Sequence, residues 1–527
     1  MSLEVIAFFS LATLAYSAKF LWAPVVDRTE VPFLTKWLGH RRSWMLVAQI
    51  LVLVALLLVS TGDPVAHLPV MAAFAVFAGF AGATQDIVVD AWRIEAADQS
   101  RQGAMATAYQ WGYRLAIIVA GAAPLALSSR IGWPSAFASV SALMVIPLIA
   151  VLLAPREAAH NIRPIHVDEI PNRPVQDRLE ILVRLLIFVA GAVLVGSALA
   201  GKAAALQSIL NAMGQTPAGE ALKGVWESKQ TGIFYQIGGL LLGFAIIFLG
   251  AWPIPGRTTR PGTYLSRSLG EPIVDFLQRY KGIAGLILAM ICVYRISEFV
   301  LNVMNPFYLD LGFTPDQVAE ARKVFGVVMT MLGVFLGGLS VRRLGIMPTM
   351  VIGAFAGPLS HIGFIWLATQ GAAFHALLIA IGMDNIAAGF SGTCLIAYMS
   401  GLTAQGFTAT QYALFSSLYA LPGKLLASQT GRIIEGSAHA ADEGGFSAPL
   451  KALFANMPAG TFAQAMEKSN VSPAALGAGY VTFFLYSIVI GIFAVILAFV
   501  LYTHPPKGQE PAEPDAEPEP QAAKQTT

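Results

Sequence analysis

Charge is what this chain has least of: Asp, Glu, Lys and Arg make up only 12% of its 527 residues, about half the share of a soluble globular chain. Hydrophobic residues reach 56%, and the two figures together point to an all-α polytopic membrane protein. The formal net charge is only +2 and no basic tract is interleaved with aromatics, so no nucleic-acid partner is expected. Cysteine is nearly absent. Cys292 and Cys394 lie inside apolar runs without CxxC or Cys/His spacing, which gives no support to a disulfide framework or a zinc site. The glycine-rich runs "AGFAGA" and "LGVFLGG" lack P-loop and dinucleotide spacing, so they read as helix-packing surfaces and not as nucleotide cradles. No cofactor is expected, and an ATP-driven pump is disfavoured.

Long apolar runs are what the chain does have. Stretches of roughly 20 apolar residues fall near 4–24, 43–60, 68–92, 104–128, 134–153, 181–201, 232–252, 283–303, 322–340, 346–368, 374–398, 408–428 and 477–502. Lys and Arg mark the cytoplasmic side of such spans. They cluster after the first (Arg28, Lys36, Arg41, Arg42), the third (Arg93, Arg101) and the fifth (Arg156, Arg163, Arg173, Arg178), and before the eighth (Arg257, Arg260, Arg267, Arg279, Lys281). This alternation puts Met1 outside and the C-terminus inside. Residues 503–527, rich in Pro, Glu and Ala, read as a disordered cytoplasmic tail. The stretch 429–475 falls outside and is expected to hold a short amphipathic helix around "APLKALFANM".

Two cytoplasmic turns repeat each other. "VVDRTEVPFLTKWLGHRRSW" and "GGLSVRRLGIMPTM" each join two spans through an arginine-bearing loop around a Leu-Gly pair, Leu38-Gly39 and Leu344-Gly345. Such loops resemble the signature of the major facilitator superfamily, which implies two six-helix halves with a substrate site between them near the midplane. On that count residues 1–155 supply helices two to six, 283–502 supply seven to twelve, and 156–282 form a linker with two extra membrane helices.

A charge at the bilayer centre costs roughly 2.5 to 3.5 kcal/mol even on the gentler scales, so charges within spans are functional candidates. Asp86, Asp90 and Arg93 stand at i, i+4 and i+7 and share one helix face. They line a polar cavity in one reading, with Asp86 taking up and releasing a proton; in the other, Asp90 and Arg93 are a structural pair at the cytoplasmic interface. Arg295 and Glu298 are a second same-face pair, at i, i+3. Asp384, beside Asn385, occupies the matching region of the second half and is a further proton-coupling candidate with Asp86 and Asp90. Lys19, Arg114 and Lys424 add positive charge suited to a substrate bearing carboxylates.

The motifs "YSAKFLWAPVVDR", "RRSWMLVAQ", "QDIVVDAWR", "GYRLAIIVAG" and "ATQYALFSSL", in that order, resemble the AmpG family of muropeptide permeases. The resemblance implies an inner-membrane importer of anhydromuropeptides, driven by the proton gradient and taken as a monomer. The expected substrate contacts are Lys19, Gln85, Arg114, Arg295, Glu298, Asn385, Gln411 and Lys424, and the expected cytoplasmic gate is Asp27, Arg28, Arg41, Arg42 and Arg93. Family members tend to carry Lys and Asp where this chain has Arg295 and Glu298, and Glu where it has Asp384. Another anionic cargo, such as an acyl-CoA or a small peptide, is the alternative. A membrane-embedded acyl or glycosyl transferase is disfavoured because His40, His361 and His375 stand apart from any acid at catalytic spacing; a ligand sensor stays open. Because the signature loop follows the first span directly, one further apolar span is expected upstream of Met1.

Overall fold

The computed structural model describes residues 15–504, apart from residues 17, 63–67, 156–161, 164, 166, 229–230, 302–303 and 428. Most of the expected first span, and the tail beyond 504, lie outside the described residues. Within them all regular structure is helical, and nine helices are long and apolar enough to cross a membrane.

The difference from the expected spans has local causes. The stretch 99–153 passes as one unit of 55 residues, which at 1.5 Å per residue would reach about 80 Å against a hydrocarbon core of about 30 Å. Gly132, at φ 78° and ψ 161°, breaks it. Pro134 then sits in the first turn of the returning helix, where its missing N–H costs nothing. The spans expected at 104–128 and 134–153 are therefore two crossings joined at a glycine. The helix Thr408–Ala427 is less apolar, but Ala409, Tyr412, Ala413 and Phe415 are buried, which sets it inside the bundle. The expected span 283–303 is broken into Ala284–Val293 and Ile296–Val300, with Arg295 at the break. Such interruptions survive at membrane depth where they line a cavity. The helix before it, Arg260–Arg279, is bent 108° away from it.

The repeated turns share one backbone. Gly39 (φ 98°, ψ 172°) and Gly345 (φ 85°, ψ 172°) each end one helix and begin the next. That region is open essentially to glycine alone, which explains why a Leu-Gly pair marks both loops.

Close backbone approach between Gly326–Leu344 and Phe374–Gly401 forms the tightest seam. A Cβ on Gly389 would lie 2.9 Å from Val334 N and still nearer the Thr330 carbonyl. Gly389→Val is therefore expected to destabilise the bundle by about 1 to 3 kcal/mol through overpacking, read as a lowered melting temperature in detergent. Gly285→Ala, whose new methyl meets nothing within 4 Å, is the control. The helix Gln102–Ala142 crosses this seam: Trp111 Nε1 donates to Met331 O at 3.0 Å, and Gln110 Nε2 to Thr393 Oγ1 at 3.0 Å. The helices Pro174–Ala200 and Gly232–Ala251 pair with each other through Gly191 and Gly243. Outside the spans, the stretch expected to be amphipathic forms a short 3-10 helix, Ala448–Phe454.

Candidate functional site

A cavity of about 770 Å³ opens between the first and last groups of helices. Its charged lining comes from both: Lys19, Asp86, Asp90 and Arg114 from one side, Arg295, Glu298, Arg322 and Asp384 from the other.

On the first side the shared helix face is occupied as its spacing predicts, with one addition. The Lys19 ammonium donates to Asp86 and lies 3.9 Å from Asp90 Oδ2. Tyr109 donates to Asp86 Oδ1 at 3.0 Å, and Arg93 Nη2 to Asp90 Oδ1 at 3.2 Å. Two cations thus answer two carboxylates. Arg93 is buried between the rings of Tyr109 and Tyr412 and donates to Ser400 Oγ at 3.0 Å across the cavity floor. Asp90 and Arg93 are therefore both an ion pair and a tie between the two sides, while Asp86 keeps 26% of its side chain exposed to the cavity.

On the other side Arg295 pairs with Glu298, which also accepts from Ser391. Asn385 lines the cavity with its amide already used: Oδ1 accepts from Thr330 Oγ1 and Nδ2 donates to Ile381 O, both at 2.8 Å. Asp384 Oδ1 lies 3.2 Å from Ser360 Oγ, and His361 Nε2 stands 3.9 Å from the same Oδ1. Along the chain His361 has no acid at catalytic spacing; helix packing supplies one. Arg114 differs from the other cations. It has no carboxylate within ion-pair distance among the described residues, and its buried Nε has no hydrogen-bond partner. Its neighbour Arg295 already holds Glu298, so the end of the cavity around Arg114 is left with an unanswered positive charge.

Two expected substrate contacts lie elsewhere. Gln411 Nε2 donates to Pro272 O and Asp275 Oδ2, and its Oε1 accepts from Arg279 Nη2 and Ala404 N, at 2.8 to 3.0 Å. It ties the Thr408–Ala427 helix to Arg260–Arg279, because Tyr412, Ser416 and Tyr419 take the cavity face of that helix and Gln411 is rotated off it. Gln85, one residue before Asp86, is not among the residues that line the cavity. Lys424 belongs to the same helix as Gln411, and its side chain is outside the description. Arg322 also lines the cavity. It sits on a π-helical turn, Glu320–Phe325, and bonds Asn305; an isolated arginine at the end of an apolar span reads as an interface anchor.

The expected gate residues lie together at the Lys/Arg-rich end. Asp27 is fully buried and its Oδ1 accepts from Arg41 Nη2 at 2.7 Å and Ala409 N at 3.1 Å. Its Oδ2 accepts from Thr410 N at 2.8 Å and Thr410 Oγ1 at 2.6 Å. A carboxylate there caps the positive end of the 408–427 helix. Arg41, itself fully buried, also grips Glu95 through Nε and Nη2 at 2.9 and 2.7 Å. Arg28 reaches Glu271 at 2.8 Å. Arg42 turns the other way, to the carbonyls of Val151 and Leu152. The opposite end of the cavity is bordered by Tyr308 and Arg322.

A family model described as Major Facilitator Superfamily matches residues 2–259. A putative transporter AmpG 4 of Rickettsia conorii is 26% identical over 435 residues, covering 82% of this chain and 82% of the relative. The anhydromuropeptide permease of Escherichia coli K12 is 26% identical over 436 residues, covering 82% of this chain and 68% of that protein. Over about four fifths of its length the chain is thus similar to AmpG-named transporters, and over residues 2–259 to the major facilitator superfamily model. A solved structure of a proton:xylose symporter of the same superfamily aligns with a TM-score of 0.46 at 11% identity, covering 95% of each chain. This permease is thus a multi-pass membrane transporter of a small molecule and not an enzyme. Its described residues form an all-helical bundle with nine helices long and apolar enough to cross a membrane.

Proposed function

We propose that this permease imports anhydromuropeptides, acidic sugar-peptide fragments of peptidoglycan, across the bacterial inner membrane together with protons, and that it works as a monomer. The observation that carries this reading is Arg114, a cation in the cavity wall that the protein itself does not neutralise. A carboxylate-bearing cargo completes it, with Arg's planar fork suited to a bidentate hold. The name of the Escherichia coli relative, an anhydromuropeptide permease, supports the choice of cargo.

In this reading residues 1–155 and 283–502 are the two halves, 156–282 the linker with the extra helices, and 503–527 a tail. Lys19, Arg114, Arg295, Glu298, Asn385 and Lys424 receive the cargo. Asp86, Asp90 and Asp384 couple it to protons. Asp27, Arg28, Arg41, Arg42 and Arg93 hold the cytoplasmic side shut, so that the cavity is loaded from outside. Gln85 and Gln411 support the site from behind.

Uptake of labelled anhydromuropeptide into energised vesicles tests the proposal, with acyl-CoA and a small peptide as competitors. Accumulation that ignores the pH gradient, or that only acyl-CoA or the peptide competes away, speaks against it. Asp86→Asn is expected to abolish uptake with insertion intact. It keeps size and hydrogen bonding but leaves buried Lys19 with only Asp90, which Arg93 already engages, and an uncompensated buried charge is costly. Near-normal, proton-dependent uptake by this variant would remove Asp86 from the coupling machinery.

A further inference from the structure

Behind the cavity wall, three helices bring Asp384, His361 and Ser487 into one line. His361, on Ile346–Gln370, is fully buried, and its Nδ1 lies 2.8 Å from Ser487 Oγ, on Pro473–Thr503. Ser487 spends its own hydroxyl proton on the Phe484 carbonyl at 2.7 Å. Its oxygen is then assigned as the acceptor and His361 Nδ1 as the donor, the tautomer that keeps the short Ser487–Phe484 contact hydrogen-bonded. In the neutral ring Nε2 then carries a bare lone pair. That atom is buried without a hydrogen-bond partner, and what it faces is Asp384 Oδ1 at 3.9 Å.

Two acceptors therefore confront each other with no proton between them. A histidine kept only for packing has no cause to aim an unsatisfied nitrogen at a carboxylate, because buried polar atoms are ordinarily paired. Ser360 does not fill the gap: its hydroxyl lies 2.7 Å from Gly357 O and 3.2 Å from Asp384 Oδ1, on the Asp384 side of the imidazole. Adding one proton changes the geometry from repulsive to bonding, whether it resides on the carboxyl and is donated to Nε2 or resides on Nε2 and is donated to the carboxylate. A second proton has no acceptor left between the two groups.

We propose that Asp384 and His361 together form a one-proton site, with Asp384 as its face to the cavity and His361 as the positioning residue that holds the proton behind the wall. The proposal rests on the proton-coupled reading above and gives one of its three carboxylates, Asp384, a partner. A proton entering from the cavity binds the Asp384 carboxylate, whose side chain is 21% exposed there. The Asp384–His361 separation then closes to hydrogen-bond length, and on release the proton leaves by the same carboxyl and the separation is restored. The surrounding charges suit this exchange. Glu298, Arg295 and Arg322 act on Asp384 through space, as does the Tyr308 hydroxyl, but no lysine or arginine lies within ion-pair distance of it among the described residues. Asp86 and Asp90, in contrast, are each held by a cation.

The test compares pH-gradient-driven accumulation with exchange of labelled for unlabelled anhydromuropeptide, which needs no net proton movement, in vesicles carrying the full chain. His361→Gln keeps a polar side chain but does not titrate. It is expected to lose accumulation to the level seen without a gradient, as Asp384→Asn does, while exchange falls far less; the double variant should be no worse than either single change. Ser487→Ala leaves the cavity wall untouched but frees the tautomer, and should shift the pH profile of uptake. Gradient-driven accumulation by His361→Gln at the wild-type level, or equal loss of accumulation and exchange, would overturn the pairing. An unshifted profile in Ser487→Ala would overturn the tautomer assignment on which it rests. If the wild-type protein itself ignores the gradient, the proton-coupled reading fails and the pairing with it; if the wild type responds and His361→Gln responds equally, only the pairing fails.

Discussion

Asp27→Ala is expected to shift the permease toward its cytoplasm-open state by about two orders of magnitude. Four donors converge on this carboxylate: Arg41, the backbone N–H groups of Ala409 and Thr410, and the Thr410 hydroxyl. Three of the four come from the helix Thr408–Ala427, so in the proposed gate they exist only while that helix stays against Asp27. Hydrogen bonds to a charged group contribute about 1.5 to 3 kcal/mol each, and breaking a buried ionic cluster costs about 3 to 5 kcal/mol in total. In the open state the same N–H groups turn to water, so the loss falls on the closed state alone. A shift of about 3 kcal/mol is somewhat more than a hundredfold in population. Ser416 lines the cavity above this latch. In a background with Cys292 and Cys394 replaced, Ser416→Cys should therefore be labelled from the cytoplasmic side far faster when Asp27→Ala is added. Uptake should fall as well, since the state that loads from outside is depopulated. Arg42→Ala, which removes ties only to Val151 and Leu152, should leave the labelling rate alone. A rate unchanged by Asp27→Ala would mean that the latch stores no energy.

How far the sequence foretells this arrangement depends on how local each interaction is. Apolar runs place the spans, because backbone satisfaction in lipid leaves few alternatives to a helix. The two Leu-Gly loops are legible because a single backbone conformation demands glycine at both. Asp86, Asp90 and Arg93, and likewise Arg295 and Glu298, are legible as faces because helical periodicity fixes them. Periodicity cannot say what a face meets. Lys19 reaches Asp86 across 67 residues, and His361 meets Asp384 only because two helices pack side by side. Its motif puts Gln411 with the cavity residues, and one residue of helical rotation, about 100°, carries it off that face to Arg279, Pro272 and Asp275. The basic residues 257–281 count toward the cytoplasmic side by charge alone, and such a count does not disclose that Arg260–Arg279 is set at 108° to the next helix. The break at Arg295 has no proline or glycine to announce it.

The second large effect is expected at Arg114, where cargo and protein stability separate. Lys19, Arg93, Arg295 and Arg41 each answer a carboxylate of the protein, so removing any of them strands a buried acid and confounds binding with folding. Arg114 strands nothing: no acid lies within ion-pair distance of it among the described residues, and its Nε is already without a partner. Arg114→Ala should leave the melting temperature in detergent within error of wild type, or raise it slightly by relieving repulsion from Arg295. If a cargo carboxylate completes this cation, truncating it costs about 2 to 5 kcal/mol of binding, the range for a desolvated charge pair losing one member. At 1.4 kcal/mol per tenfold, the concentration for half-maximal uptake should rise by about thirtyfold or more. Arg114→Lys keeps the charge and loses the fork, so it should fall between the two. The same series run with a cargo whose carboxylates are amidated should be flat, because the partner of the guanidinium is then gone from the other side. A half-saturation unchanged in Arg114→Ala, or a series equally steep for amidated cargo, would show that the unpaired guanidinium serves something other than the cargo's carboxylate.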